Sequence, residues 1–184
     1  MIFWSGYERA VRDGDTRRMW VRRAKCTACR PNVSHALLPA FVLPWRFYAV
    51  GVIGPALARM AAGESPGSVA RATATPYATV RDWRWRYRAR APALAAGFAA
   101  AAVALGAQAS GLSGDPPVAA LQALGAAWAA ARARLGEGCP GLWRYAATVT
   151  GGGLLATTTA PSWTAPGGGP LLPPVPVPPT RGGP

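Results

Sequence analysis

The sequence predicts a mainly α protein built from an N-terminal β-hairpin, three short helices, an Ala-rich helical pair and a disordered Pro/Gly tail. Three observations predict it. The turn residues Asp13-Gly14-Asp15 divide two runs rich in apolar and aromatic residues. From Val50 to Tyr87, apolar residues recur at three- and four-residue spacing, the period of a helix face. The last 24 positions, 161–184, hold nine prolines and five glycines, a composition that cannot build a packed core.

In the first element, Ile2-Phe3-Trp4 through Val11 pairs with Met19-Trp20-Val21 across the Asp-Gly turn, because glycine takes positive φ without steric cost. Residues 31–46 contain three prolines and read as an extended linker with apolar anchors. A first helix follows, with Val50, Ile53, Leu57 and Met60 on one face and a stop near Gly63. Ser65 caps a second helix that has Pro66 at its first position and Val69 and Ala70 facing inward. After a turn at Thr73 and Ala74, Thr75 caps a third helix starting at Pro76. Its apolar stripe is Val80, Trp83 and Tyr87, and Arg81, Arg84 and Arg88 form a second stripe about 100° away.

The uncharged stretch from Ala91 to Leu112 exceeds the roughly 20 residues a bilayer span needs. It is mostly Ala and Gly, with few large apolar groups, so it reads as a soluble helix rather than a membrane span. A further helix from Val118 to Leu135 places Leu121, Leu124, Trp128 and Leu135 on one side, and the two helices are expected to pair antiparallel. Residues 143–159 suggest a short strand. The organisation is thus a hairpin with linker (1–46), a three-helix unit (47–90), an Ala-rich helical region (91–160) and the tail (161–184).

Charge is unevenly placed. Residues 1–90 carry 16 basic and 5 acidic residues, and residues 91–184 carry 4 and 2. A GC-rich coding sequence explains why nineteen of the twenty basic residues are Arg, but not why they crowd into one half. A potential so concentrated attracts a polyanion through counterion release, which makes nucleic acid the leading partner.

Three short helices with a tight turn before the third are the minimum for a helix-turn-helix, whose last helix enters the major groove. Tyr77, Ala78 and Arg81 would then meet base edges, and Arg84, Arg86, Arg88 and Arg90 would hold phosphates. Arg17, Arg18, Arg22 and Arg23 of the hairpin would add backbone contacts. Three departures stand against that pattern. Ala74 occupies the place where Gly would ease the turn, Thr73 and Thr75 stand where apolar residues are usual, and Pro55 falls inside the first helix at a cost of about 3 kcal/mol. The competing reading is a small bundle whose arginines are simply solvated.

Cys26-Thr27-Ala28-Cys29 lies just past the second strand, where a zinc-ribbon knuckle would sit, and reads as half a zinc site. His35 is either a third ligand or a loop or core histidine, and Cys139 is remote in sequence. Ribbon geometry places a first Cys pair before the hairpin, so the chain reads as one that starts inside a ribbon. The three cysteines form no even disulfide set and Met1–Tyr7 has no signal-peptide pattern, which together point to the cytoplasm. Metal-dependent strand transfer needs clustered carboxylates, whereas the seven acidic residues are scattered and there is a single His. The expectation is a non-catalytic protein.

Cys26-Thr-Ala-Cys29, His35-Ala-Leu-Leu-Pro39, Leu43-Pro44, Val52-Ile53-Gly54, Val69-Ala70-Arg71 and Thr79-Val80-Arg81-Asp82-Trp83 occur in an order that resembles an uncharacterised family of high-GC bacterial proteins. The similarity continues through Arg90-Ala-Pro-Ala-Leu-Ala-Ala-Gly-Phe98 and Leu154-Leu-Ala-Thr-Thr158. That family looks like a zinc-ribbon remnant joined to a transposase-type helix-turn-helix. The resemblance implies binding of double-stranded DNA in a mobile-element or accessory role, or a decaying copy that lacks the upstream Cys pair. The alternative function is a structural or protein-interaction module that binds a partner through the Ala-rich helices and the Pro-rich tail.

Overall fold

The computed structural model of the chain describes residues 2–25 and 34–156. The hairpin forms as the turn chemistry dictates. Strand β1 (Ile2–Asp13) pairs antiparallel with β2 (Asp15–Lys25), and the chain reverses at Gly14 with φ of 77°. Part of the expected linker is instead a third strand, β3 (Ser34–Leu37), paired antiparallel with β2 in a sheet of order β1-β2-β3. Its four residues include no proline, so nothing in them prevents ladder hydrogen bonding.

The sheet is tied to the helices at one end. Arg12 donates its backbone N–H to Phe47 O and accepts from Ala49 N, both at 2.9 Å. Val11, Val42 and Ala49 make a small core beneath the hairpin, flanked by Met19 and Phe41. The Arg9 guanidinium reaches across this seam to Leu43 O at 2.9 Å and to Arg46 O.

Helix α1 (Val50–Ala61) buries Val50, Ile53, Leu57 and Met60, the face read from the sequence. Pro55 is accommodated inside it. The carbonyl it leaves without a partner belongs to Gly51, and both residues are exposed, so water can satisfy the freed oxygen. Helix α2 (Pro66–Ala72) is capped by Ser65, whose hydroxyl accepts from Ser68 N at 3.2 Å, and it buries Val69 and Ala70.

Helix α3 (Tyr77–Ala104) departs most from expectation. The third helix and the Ala-rich helix are a single element of 28 residues, about 42 Å long. Pro92 does not break it, because Pro92 and the Arg88 carbonyl it releases lie on the exposed side. Val80, Trp83, Tyr87, Ala91, Leu94, Phe98 and Ala102 form a continuous buried stripe.

Helix α4 (Pro116–Leu135) runs in the same direction as α3, not antiparallel to it. Tyr87 Oη donates to Pro117 O at 3.0 Å near the start of α4, and Arg134 near its end lies beside Gly106, just past the end of α3. The return segment Leu105–Asp115 has eleven residues and can reach about 36 Å, long enough to run back along the pair. The buried face of α4 is also not the one that its large residues suggest. Leu124 is buried, but the rest of the stripe is Ala119, Ala120, Ala123, Ala127 and Ala131, while Leu121 and Trp128 are half-buried and Leu135 is exposed. Small side chains on both helices permit close approach. Trp128 remains at the rim, where its indole N–H donates to Pro140 O at 2.9 Å.

The strand expected within 143–159 is absent from the described part of that range. Leu142–Val149 forms helix α5, followed by a 3₁₀ turn at Gly153–Leu155. The segment is a short amphipathic helix that buries Tyr145, Ala146 and Val149. The threonine run Thr157–Thr159 and the Pro/Gly tail lie outside the described residues.

Helix α5 meets α1 at Gly54. A methyl group there would fall 1.9 Å from the Trp143 ring, so only glycine lets the indole lie against the helix backbone. Gly54→Ala is expected to destabilise the fold by about 1–3 kcal/mol, as overpacking does, read as a lower urea midpoint with unchanged slope.

Candidate nucleic-acid interface

The N-terminal half of α3 is held by what packs around it. Val80 and Trp83 are essentially inaccessible, and the Tyr48 ring meets Trp83 edge-on at 5.1 Å. At 100° per residue, this fixes which side chains point out. Tyr77, Ala78, Arg81, Arg84 and Arg88 are all exposed. Tyr77, Arg81, Arg84 and Arg88 share one face within about 60° of one another, and the Arg81 guanidinium lies 5.9 Å over the Tyr77 ring.

Two predicted site residues fall elsewhere. Arg86 and Arg90 lie roughly opposite that face on the helix wheel. Arg86 Nε donates to both carboxylate oxygens of Asp82 at 2.8 Å. Arg90 is half-buried, its Nε and Nη2 are enclosed without a hydrogen-bond partner, and desolvation lowers its pKa. Asp82 also receives Arg46 Nη1 at 3.4 Å, and the other end of that guanidinium reaches Leu155 O at 3.4 Å. Burial, with Arg86 nearby, lowers the Arg46 pKa, while Asp82 opposes the shift. This flank of α3 therefore ties the helix to the segment before α1 and to the 3₁₀ turn at Gly153–Leu155, and the cationic face is the other one.

Sequence reasoning missed Trp85, which is 63% exposed and lies beside the basic face. The signal was present: Trp83 and Trp85 are two residues apart, so one helix cannot bury both on the same stripe.

The connection before α3 is strained. Ala74 has φ of 47°, a left-handed conformation that costs a residue with a Cβ about 1–2 kcal/mol. Thr75 does not cap the helix as expected. Pro76 takes the cap position, and the buried Thr75 hydroxyl donates back to Thr73 O at 3.1 Å. Thr73 in turn donates its hydroxyl to Val69 O at 2.9 Å, so both threonines satisfy carbonyls at the end of α2, where apolar residues could not.

One ionic clamp sets α2 against α1. Arg59 donates from Nε and Nη2 to the two oxygens of Glu64 at 2.6 Å, and Ser68 Oγ donates to Glu64 at 2.6 Å. These bonds, the Arg59 pair first, hold the Glu64 carboxyl below its ordinary pKa.

In the hairpin, Arg22 and Arg23 face opposite ways. Arg22 is exposed with its guanidinium 5.6 Å over Phe3, whereas Arg23 is half-buried and donates to Ser34 Oγ. Arg17 and Arg18 are exposed, and Arg18 meets Glu8 at 3.0 Å. Cys26 and Cys29, the predicted zinc ligands, lie outside the described residues. His35 is exposed on β3, and Cys139 has a free thiol. Among the described residues, no three His, Cys, Asp or Glu side chains converge on one point, and no helix is long and apolar enough to cross a membrane.

Residues 1–83 match the model of a family described as a domain of unknown function (DUF6431), which covers the sheet, α1, α2 and the first turns of α3. Neither the curated proteins nor the solved structures contain a match to the chain.

The turn and the clamp each have a measurable consequence. Ala74→Gly is expected to stabilise the protein by about 1 kcal/mol, visible as a raised Tm, because it removes the left-handed strain. A carboxylate with a lowered pKa stabilises above its unfolded pKa and loses that contribution as pH falls through the folded value. The unfolding midpoints of wild type and Glu64→Gln should therefore differ at neutral pH and converge under acid. A difference that persists below the carboxylate range would show that the clamp does not act through its charge.

Proposed function

We propose that the protein is a non-catalytic binder of double-stranded DNA that applies the N-terminal half of α3 to the duplex, in the manner of a helix-turn-helix. One observation carries this reading: Arg81, Arg84 and Arg88 share an exposed face with Tyr77, immediately after a tight turn from a short capped helix, while the adjoining stripe is buried. A side chain that leads with a guanidinium can pair bidentately with phosphate or with a guanine edge. Tyr77, Ala78 and Arg81 sit in the first turns, the part of a recognition helix that reaches base edges, and Arg84 and Arg88 lie further along for phosphates. Arg86 and Arg90 are assigned to the helix's packing rather than to DNA, given their partners and burial.

The protein-interaction alternative is less well served. The alanine stripes of α3 and α4 that would have met a partner are used inside the fold. Zinc at Cys26 and Cys29, and a role beside a mobile element, rest on the sequence motifs alone.

The test is fluorescence-anisotropy titration of a random-sequence duplex across a salt series. The intact chain should bind with a steep salt dependence. An Arg81→Ala/Arg84→Ala/Arg88→Ala variant of unchanged helicity should bind more weakly, with the log–log slope reduced by about two, one unit for each of the phosphates held by Arg84 and Arg88. A folded chain that does not bind duplex, or a variant with the wild-type slope, overturns the reading.

A further inference from the structure

The outer face of the sheet holds a second surface that duplex binding by α3 leaves unused. Residues opposite one another in an antiparallel pair share a face. The pairs Gly6↔Arg22, Glu8↔Trp20 and Ala10↔Arg18 therefore put Arg18, Trp20 and Arg22 on one side, away from Val11 and Val21, which face the opposite way and are buried. An irregularity between Phe3 and Ser5 brings Phe3 opposite Ala24 and onto the same side. In β3, Leu37 lies opposite Arg22 and His35 opposite Ala24, and both are exposed.

Two rings on this face are built to be seen from solvent. Trp20 is 62% exposed although it lies flat on β1: a methyl group on Gly6 would fall 2.4–2.6 Å from Nε1, Cε2 and Cζ2 of its indole. Glycine gives the indole a backbone floor, which fixes one π-face and leaves the other open. Phe3 is 71% exposed, with the Arg22 guanidinium 5.6 Å from its ring. Beside the rings on this face stand the exposed Arg18 and Arg22, with Glu8 opposite Trp20.

Exposed rings interleaved with arginines match the needs of a flexible polyanion that carries flat apolar groups. A duplex does not offer this, because its base faces are already stacked and only its edges line the grooves. A second copy of the chain would bring the same positive charge. We propose that the outer sheet face is a stacking platform for single-stranded nucleic acid, with unpaired bases on Trp20 and Phe3 and phosphates on Arg18 and Arg22. The Arg18–Glu8 pair is exposed on both sides, so a phosphate can compete for Arg18 at little cost.

The platform is independent of the α3 face, and one experiment separates the two. Anisotropy titrations of the full chain use a mixed-sequence single-stranded DNA oligonucleotide without self-complementarity, and the same oligonucleotide annealed to its complement. Trp20→Ala and Phe3→Ala, each checked for fold by circular dichroism, should weaken single-strand binding about tenfold and leave duplex binding unchanged. Trp20→Phe, which keeps a ring on Gly6, should retain most of the affinity. The triple arginine variant of α3 should show the reverse pattern, losing duplex and keeping single strand. The proposal is overturned if the folded chain ignores the single strand, if Trp20→Ala binds it as wild type does, or if Trp20→Ala weakens both probes equally.

Discussion

The burial of Trp83 in the first half of α3 is the interaction around which the molecule is organised. Its indole is 2% exposed and meets Tyr48 edge-on, within the core that also holds Val80 and Ile53. An aromatic side chain of this size contributes a large apolar area and, when paired edge to face, somewhat more than its area alone. The helix cannot rotate without uncovering it. Because α3 is continuous over 28 residues, fixing Trp83 also fixes Leu94, Phe98 and Ala102 against the rest of the core, and it fixes Arg81, Arg84 and Arg88 toward solvent. Core and candidate surface are two sides of one constraint.

The same aromatic pair couples the sheet to the helices. Arg12 exchanges backbone hydrogen bonds with Phe47 and Ala49, and its guanidinium lies 5.8 Å over the ring of Tyr48. Tyr48 in turn packs on Trp83. The exposed rings of β1 and β2 therefore stand on a sheet anchored through that pair, and on the far flank of α3 Asp82 collects Arg46 and Arg86. Basic residues of this protein divide by that geometry: some join elements by pairing with carboxylates and carbonyls, and others are left facing water.

Features that look like defects in the sequence are tolerated for a common reason. Pro55 and Pro92 each release a carbonyl on an exposed side of a helix, where water replaces the missing partner. Ala74 adopts a left-handed conformation at the turn into α3, and the threonines on either side of it tie down carbonyls of that same turn and of α2. Neighbouring hydrogen bonds hold the strained residue in place.

Local chemistry was enough to establish a good part of this structure from sequence alone. Asp13-Gly14 set the hairpin, Val50-Ile53-Leu57-Met60 set the buried face of α1, Ser65-Pro66 set the start of α2, and the offset between Val80-Trp83-Tyr87 and Arg81-Arg84-Arg88 set the cationic face of α3. Each of these depends on residues within one or two turns of each other, where spacing determines direction. The tertiary structure decided the rest. Whether Pro92 ended a helix depended on which side of it faced water. The parallel course of α3 and α4 depended on an eleven-residue return segment, and the alanine face of α4 was chosen by the small residues available on α3. Arg86 and Arg90 were grouped with the other arginines although the helix wheel sets them on the far side, where Asp82 lies one turn away, and only the packed fold brought Arg46 and the core to that side. Sequence spacing gives a side chain its direction from its own helix axis, and only the packed neighbours determine whether that direction leads to solvent, to a partner or into the core.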